Sequence, residues 1–108
     1  MAFVLEQVGL EMVEALQPVV VRIKRRDRSL ADQLARAASS VVLNVAEANY
    51  SDPGNKSSRL FTAAGSAGEV RAAVKLAVAW RYCTSAEVAA AQQLLDRVIA
   101  ILWKLTRG

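Results

Sequence analysis

The sequence contains no histidine. That absence excludes histidine-based catalytic triads, zinc sites built on imidazole, and the Glu-x-x-His pairs with which helical bundles hold di-iron centres. Cysteine is nearly missing too. Cys83 stands alone, so neither an intrachain disulfide nor a multi-cysteine zinc site can form, and a reducing compartment is expected. With no histidine to activate it, Cys83 reads as a small buried residue rather than a nucleophile. Aromatic residues are only 6% of the chain, and β-branched residues do not gather in short alternating runs. No apolar run approaches the roughly 18 uninterrupted residues that a membrane span needs; Val19 to Val21 is followed at once by Arg22 and Lys24. Met1 to Leu10 includes Glu6 and no cationic segment, so no secretory signal is expected and the cytoplasm is the expected location. Gly65 and Gly68 lie inside a helical pattern instead of between a strand and a helix, which leaves no phosphate-cradling loop.

What is present points to helix. The chain has 108 residues, of which 54% are hydrophobic, enough for one domain with a single core. Alanine supplies many of these, and Ala, Leu, Arg, Gln and Glu lose little side-chain freedom in a helix. In the first segment Leu5, Val8, Met12, Leu16, Val19 and Ile23 recur at three- and four-residue steps, predicting a helix over about 3–23. Pro18 removes one main-chain donor, so a kink near Glu14 to Gln17, or two shorter helices, is expected. Ser29 is the expected N-cap of a second helix running from Leu30 to about Asn49, with Asp32 in the capping-box position. Its apolar stripe is Leu30, Leu34, Ala37, Val41, Val45 and Ala48, and Gln33, Arg36, Ser40, Asn44 and Glu47 form a polar one beside it.

Ser51-Asp52-Pro53-Gly54 punctuates the chain. A third helix is expected over about 56–82. It contains Ala63-Ala64-Gly65-Ser66-Ala67-Gly68, and two glycines inside a helix cost about 1 kcal/mol each relative to alanine, so they should serve the close approach of a neighbouring backbone. Thr84 with Glu87 forms a capping box for a fourth helix, in which Val88, Ala91, Leu95, Val98, Leu102 and Leu105 alternate by three and four. Short connections favour antiparallel neighbours. The expectation is therefore an all-α, up-down-up-down four-helix bundle that occupies the whole chain as one domain.

Charge is unevenly placed. Fourteen basic and ten acidic residues give a net charge of +4, but the first 21 residues hold three acids and no base, whereas Arg22, Lys24, Arg25, Arg26 and Arg28 surround Asp27. Such a basic knot is what phosphate contacts need. It also complements the negative end of the first helix dipole, so a solvated, dipole-matched turn is the competing reading. Arg71, Lys75, Lys104 and Arg107 would widen the patch only if folding or assembly gathers them. Glu47 and Glu69 would make a polar cluster if their helices face each other, as an ion-pair network with Arg36 or Arg59 or, less simply, as a proton-exchanging or metal-holding pair. Trp80, Tyr82 and Trp103 could stack on bases, but core packing where the third and fourth helices meet is the expected role.

Two segments carry a resemblance. Gln33-Leu34-Ala35-Arg36-Ala37-Ala38-Ser39-Ser40-Val41-Val42-Leu43-Asn44-Val45-Ala46-Glu47 and Ala63-Ala64-Gly65-Ser66-Ala67-Gly68-Glu69 resemble the bacterial four-helix-bundle proteins encoded within ribosomal RNA intervening sequences, a group to which the accessory variability determinants of diversity-generating retroelements look related. The resemblance implies an antiparallel bundle assembled into a homo-oligomeric ring, typically a pentamer. It places Asn44, Glu47, Ser66 and Glu69 on motif positions, which with Arg36 would form a structural polar network or a subunit interface. It implies no known catalytic activity, and no cofactor is expected. For the retroelement relatives it implies RNA or DNA binding through basic surface and a reverse transcriptase partner. Where that family has glycine after its Ala-Glu pair this chain has Ala48, so the second helix should run on to about Asn49. Independently of the family, the hydrophobic content exceeds what four helices must bury among themselves, and surplus apolar surface seeks a partner.

The expected function is that of a non-catalytic, oligomeric accessory protein binding nucleic acid through Arg22, Lys24, Arg25, Arg26 and Arg28. The alternative is a protein-interaction scaffold without nucleic-acid binding.

Overall fold

The computed structural model describes residues 2–107. Four α-helices follow one another: α1 (Ala2–Lys24), α2 (Arg28–Asn49), α3 (Pro53–Ala79) and α4 (Ser85–Arg107). No strand occurs among the described residues. Each helix packs on its chain neighbours, and α4 closes the bundle against α1. The connections are too short to cross the bundle, so the helices alternate in direction. The body measures 42 × 22 × 20 Å, the long dimension matching about 1.5 Å per residue along the longest helix.

The core is aliphatic. Every residue of the α1 and α2 stripes is buried, as are Val88, Ala91, Leu95, Val98 and Leu102 of α4; Leu105, in the last turn, is only partly so. Leu5, Met12, Ile23, Leu34, Leu95 and Leu102 are the largest side chains fully enclosed. From α3 come mostly small residues, Ala63, Ala67, Ala73 and Ala77 with Val70 and Val74. The tryptophans do not join them: Trp80 is 63% and Trp103 56% exposed, which overturns the expected core role for these two rings, whereas Tyr82 packs against the core while partly exposed.

Several local expectations are corrected. α1 runs through Pro18 as one helix rather than two shorter ones, with Leu16, Val19 and Ile23 held in the core on both sides of it. The N-cap of α2 is Asp27, not Ser29; Asp27 Oδ1 accepts from Leu30 N–H at 2.9 Å, and Ser29 Oγ instead accepts from Gln33 Nε2. Pro53 and Gly54 open α3 rather than form a loop, since Asp52 caps that helix by accepting from Asn55 N–H and proline suits the first helical position. The glycine expectation fails within the chain: a Cβ at Gly65 or Gly68 would meet nothing within 4 Å. The glycine in close contact is Gly9, where a Cβ would lie 3.2 Å from Val42 Cγ2.

The Thr84–Glu87 capping box forms as expected. Thr84 N–H donates to Glu87 Oε1 at 2.8 Å and Glu87 N–H donates to Thr84 Oγ1 at 3.2 Å. α2 reaches Asn49 and ends without a left-handed residue.

Candidate nucleic-acid interface

Antiparallel alternation brings the α1–α2 and α3–α4 turns to the same end of the bundle. The first holds the basic knot. Arg22 and Lys24 lie in the last turn of α1, Arg25 and Arg26 in the connection, and Arg28 opens α2; all five are exposed. Arg22 and Lys24 sit where a helix C-terminus favours cations, but Arg28 stands at the positive end of α2, which helix electrostatics opposes. Dipole matching therefore does not account for the whole knot.

The second turn adds what the sequence pattern did not reveal. α3 stops at Ala79, short of the expected Tyr82, because Arg81 adopts a left-handed conformation with φ 65°. Arg81 N–H donates to the Val78 carbonyl at 3.0 Å and Tyr82 N–H to the Ala77 carbonyl at 2.8 Å, the double closure of a Schellman motif. Glycine normally fills that position, and a side chain there costs roughly 1–2 kcal/mol. Here the strained residue carries an exposed guanidinium at the basic end.

Specific bonds lock the turns together. Asp27 Oδ2 accepts from the Tyr82 hydroxyl at 3.2 Å while its other oxygen caps α2. Partial burial raises the Tyr82 phenol above its usual value, and the bond to Asp27 adds to this, so the hydroxyl remains a donor at neutral pH. Arg26 lies over the Tyr82 ring, 5.6 Å from its centroid. Tyr82 in turn stacks with Trp80, the centroids 6.5 Å apart and the planes 17° from parallel. Arg22 pairs with Glu87 at 2.9 Å. Bonding from the Thr84 backbone, assisted by its side chain and by Arg22, holds the Glu87 carboxyl below its ordinary value. Beneath this surface Cys83 is buried, and burial pushes its thiol up.

Asp27 and Glu87, the acids of these turns, are thus both engaged in caps and cross-turn bonds, whereas Lys24, Arg25, Arg28 and Arg81 form no ion pair among the described residues. The side chains proposed to widen the patch do not all assemble. Lys104 and Arg107 fall in the last turn of α4, at the opposite end, with Arg107 over Trp103. Arg71 pairs with Asp96, and Lys75 is exposed one turn before the end of α3. Arg81 and Trp80 were missed as partners of the knot although the up-down-up-down topology already implied a shared end.

The second group of expected residues lies midway along α2 and α3. Ser40 Oγ and the buried Ser66 Oγ are 2.8 Å apart, and Asn44 Nδ2 donates to the Ser40 carbonyl at 2.8 Å and to its hydroxyl at 3.1 Å. Ser40 is the hub. Glu47 pairs with Arg59 at 3.0 Å, but Glu69 borders a separate cleft with Gln33, Arg36, Ser40 and Ser66. The two carboxylates do not converge, and no cluster of three potential metal ligands occurs among the described residues. The expected α2–α3 polar network therefore centres on hydroxyl and amide groups.

These features define a class: an all-α, four-helix protein with a cationic end that carries exposed aromatic surface. Its sequence matches the model of the 23S rRNA-intervening sequence protein family over residues 7–104, and the chain belongs to that family. Among solved structures it is similar to a protein of unknown function from the S23 ribosomal protein family of Bacteroides thetaiotaomicron, with a TM-score of 0.87 over 96% of this chain and 99% of that one, at 15% identity. Identity that low speaks for the fold alone. No curated protein matches the sequence. No helix of the described residues is long and apolar enough to cross a membrane.

Proposed function

We propose that this protein is a non-catalytic accessory protein that associates with RNA through the basic end of its bundle. The observation that carries the reading is the union of Arg22, Lys24, Arg25, Arg26 and Arg28 on one turn with Arg81 on the next, while the local acids are engaged in caps and cross-turn bonds. Phosphate contacts by such groups release counterions, so the logarithm of the affinity falls linearly with the logarithm of salt, with a slope of about 0.7 per contact on single strands. Membership of a family described by an rRNA intervening sequence supports RNA as the polyanion. The test is electrophoretic retardation of RNA at increasing salt, with the wild type compared against a variant in which the five knot residues are changed to glutamine. Retention that weakens steeply with salt and vanishes in the variant is expected; no retention at low salt overturns the reading.

Assembly into a homo-oligomeric ring, a pentamer by family resemblance, is part of the proposal. Apolar side chains left on the outside support it, Leu43 at 62% exposure on α2 and Phe61 at 57% on α3, as does the open surface over Gly65 and Gly68. A ring repeats the +4 charge of each chain and makes weak patches multivalent. The same exposed surface favours the second reading, a protein-interaction scaffold without nucleic-acid affinity. It predicts a defined oligomer by light scattering that retards no RNA. A nucleic-acid enzyme such as a reverse transcriptase is the protein partner proposed for the first reading, to be tested by co-purification.

A further inference from the structure

The basic end carries an aromatic feature that phosphate binding alone does not need. Trp80 caps α3 with nearly two thirds of its surface in water, although an indole usually gains more from burial than most side chains. Its backbone N–H donates to the Leu76 carbonyl at 2.8 Å in the last turn of α3, and its ring lies nearly parallel to Tyr82, whose hydroxyl donates to Asp27 and whose ring lies under Arg26. The next residue, Arg81, is strained into a left-handed conformation. The other exposed tryptophan differs, because Trp103 is covered by Arg107 at 3.9 Å and stands at the far end of the bundle from the knot.

We infer that Trp80 is a base-stacking platform and that the basic end takes unpaired, single-stranded RNA in preference to duplex. The inference rests on the RNA reading above and narrows its substrate. Guanidinium, phenol and indole form an array at the end of the bundle, and a nucleobase laid on the indole extends it, while Lys24, Arg25, Arg28 and Arg81 meet the flanking phosphates. An unpaired base presents its face in this way, whereas in a duplex only the last pair at each end does. In an A-form duplex the faces are stacked internally, leaving phosphates and 2′-hydroxyls to be contacted. Stacking on an aromatic side chain tolerates any base, so no sequence preference is expected from this contact.

The experiment uses a Trp103→Phe variant, which leaves Trp80 as the sole indole. Its fluorescence is followed during titration with a single-stranded RNA oligonucleotide and with the blunt duplex of the same sequence, alongside affinities for Trp80→Ala, Trp80→Phe and the knot-to-glutamine variant. Quenching by the single strand is expected, with Trp80→Ala weakening single-strand affinity roughly five- to a hundredfold, Trp80→Phe restoring most of it, and duplex affinity unchanged. If Trp80→Ala binds both forms like the parent while the knot variant binds neither, phosphate binding stands and the platform is overturned. If neither form is bound at low salt, the RNA reading itself fails and the platform with it. Blue-shifted Trp80 emission before RNA is added, together with a reduced assembly mass in Trp80→Ala, would assign the indole to a protein contact and also overturn the inference.

Discussion

Asp27 shows how one side chain organises a site whose charge it opposes. Its two oxygens cap α2 and hold the Tyr82 hydroxyl, so it orders the arginines around it while offsetting only one of them. Replacing it with alanine should destabilise the protein by about 1–2 kcal/mol from the lost cap, with a further loss from the unpartnered phenol; a urea titration measures this, and a change below about 0.5 kcal/mol would show that the bonds are not formed in solution. Arg81 makes the opposite case. Arg81→Gly should raise stability by about 1 kcal/mol by removing left-handed strain while weakening RNA retention, a trade-off visible by pairing a thermal melt with a salt titration. Cys83 should be inert. With its thiol buried and pushed up, alkylation followed by mass spectrometry at neutral pH should proceed no faster than the protein opens.

Among the helices, the three with three-four apolar stripes, α1, α2 and α4, were readable because burial follows that spacing when one face meets the core. Boundaries were less so. Asp27 and Ser29 are both good N-cap residues, and what decides between them is which one can also reach the α3–α4 turn. The end of α3 was hidden for a related reason: no glycine marks it, and the left-handed residue is an arginine. Acid should expose the caps. Glu87 and Asp52 both titrate below their ordinary values because backbone N–H groups bond their charged forms. A depressed folded-state value stabilises above the unfolded one, near pH 4 for carboxylates, and that contribution is lost as pH falls through the folded value. Stability should therefore be level near neutrality and decline below about pH 4, with the Thr84→Ala, Glu87→Gln double variant showing a shallower decline in chemical denaturation measured across that range.

On the scale of the whole molecule, the outer surface of α3 distinguishes folding from assembly. Phe61, Gly65, Gly68, Ala72 and Leu76 are all exposed, at spacings that place them along one helical face. Gly65→Ala with Gly68→Ala should stabilise the folded subunit by about 1 kcal/mol per site through helix propensity, since nothing in the chain obstructs either Cβ. If that face meets a second copy, the same change should weaken the assembly, so a higher melting temperature with a lower sedimentation mass is the expected pair of results. An unchanged mass would remove this face from the ring.

By itself, the sequence determined the helices, their apolar stripes, the fourth-helix capping box and the basic knot. These rest on neighbours within a turn or two along the chain, where spacing and residue type are sufficient physical causes. Only the tertiary structure decided that Trp80 lies in water rather than in the core, that Arg81 joins the knot, that Ser40 rather than a carboxylate pair links α2 to α3, and that Gly9 rather than Gly65 meets its neighbour closely. Each depends on groups far apart in the chain whose distances are set by how four cylinders pack, and no local pattern records that distance.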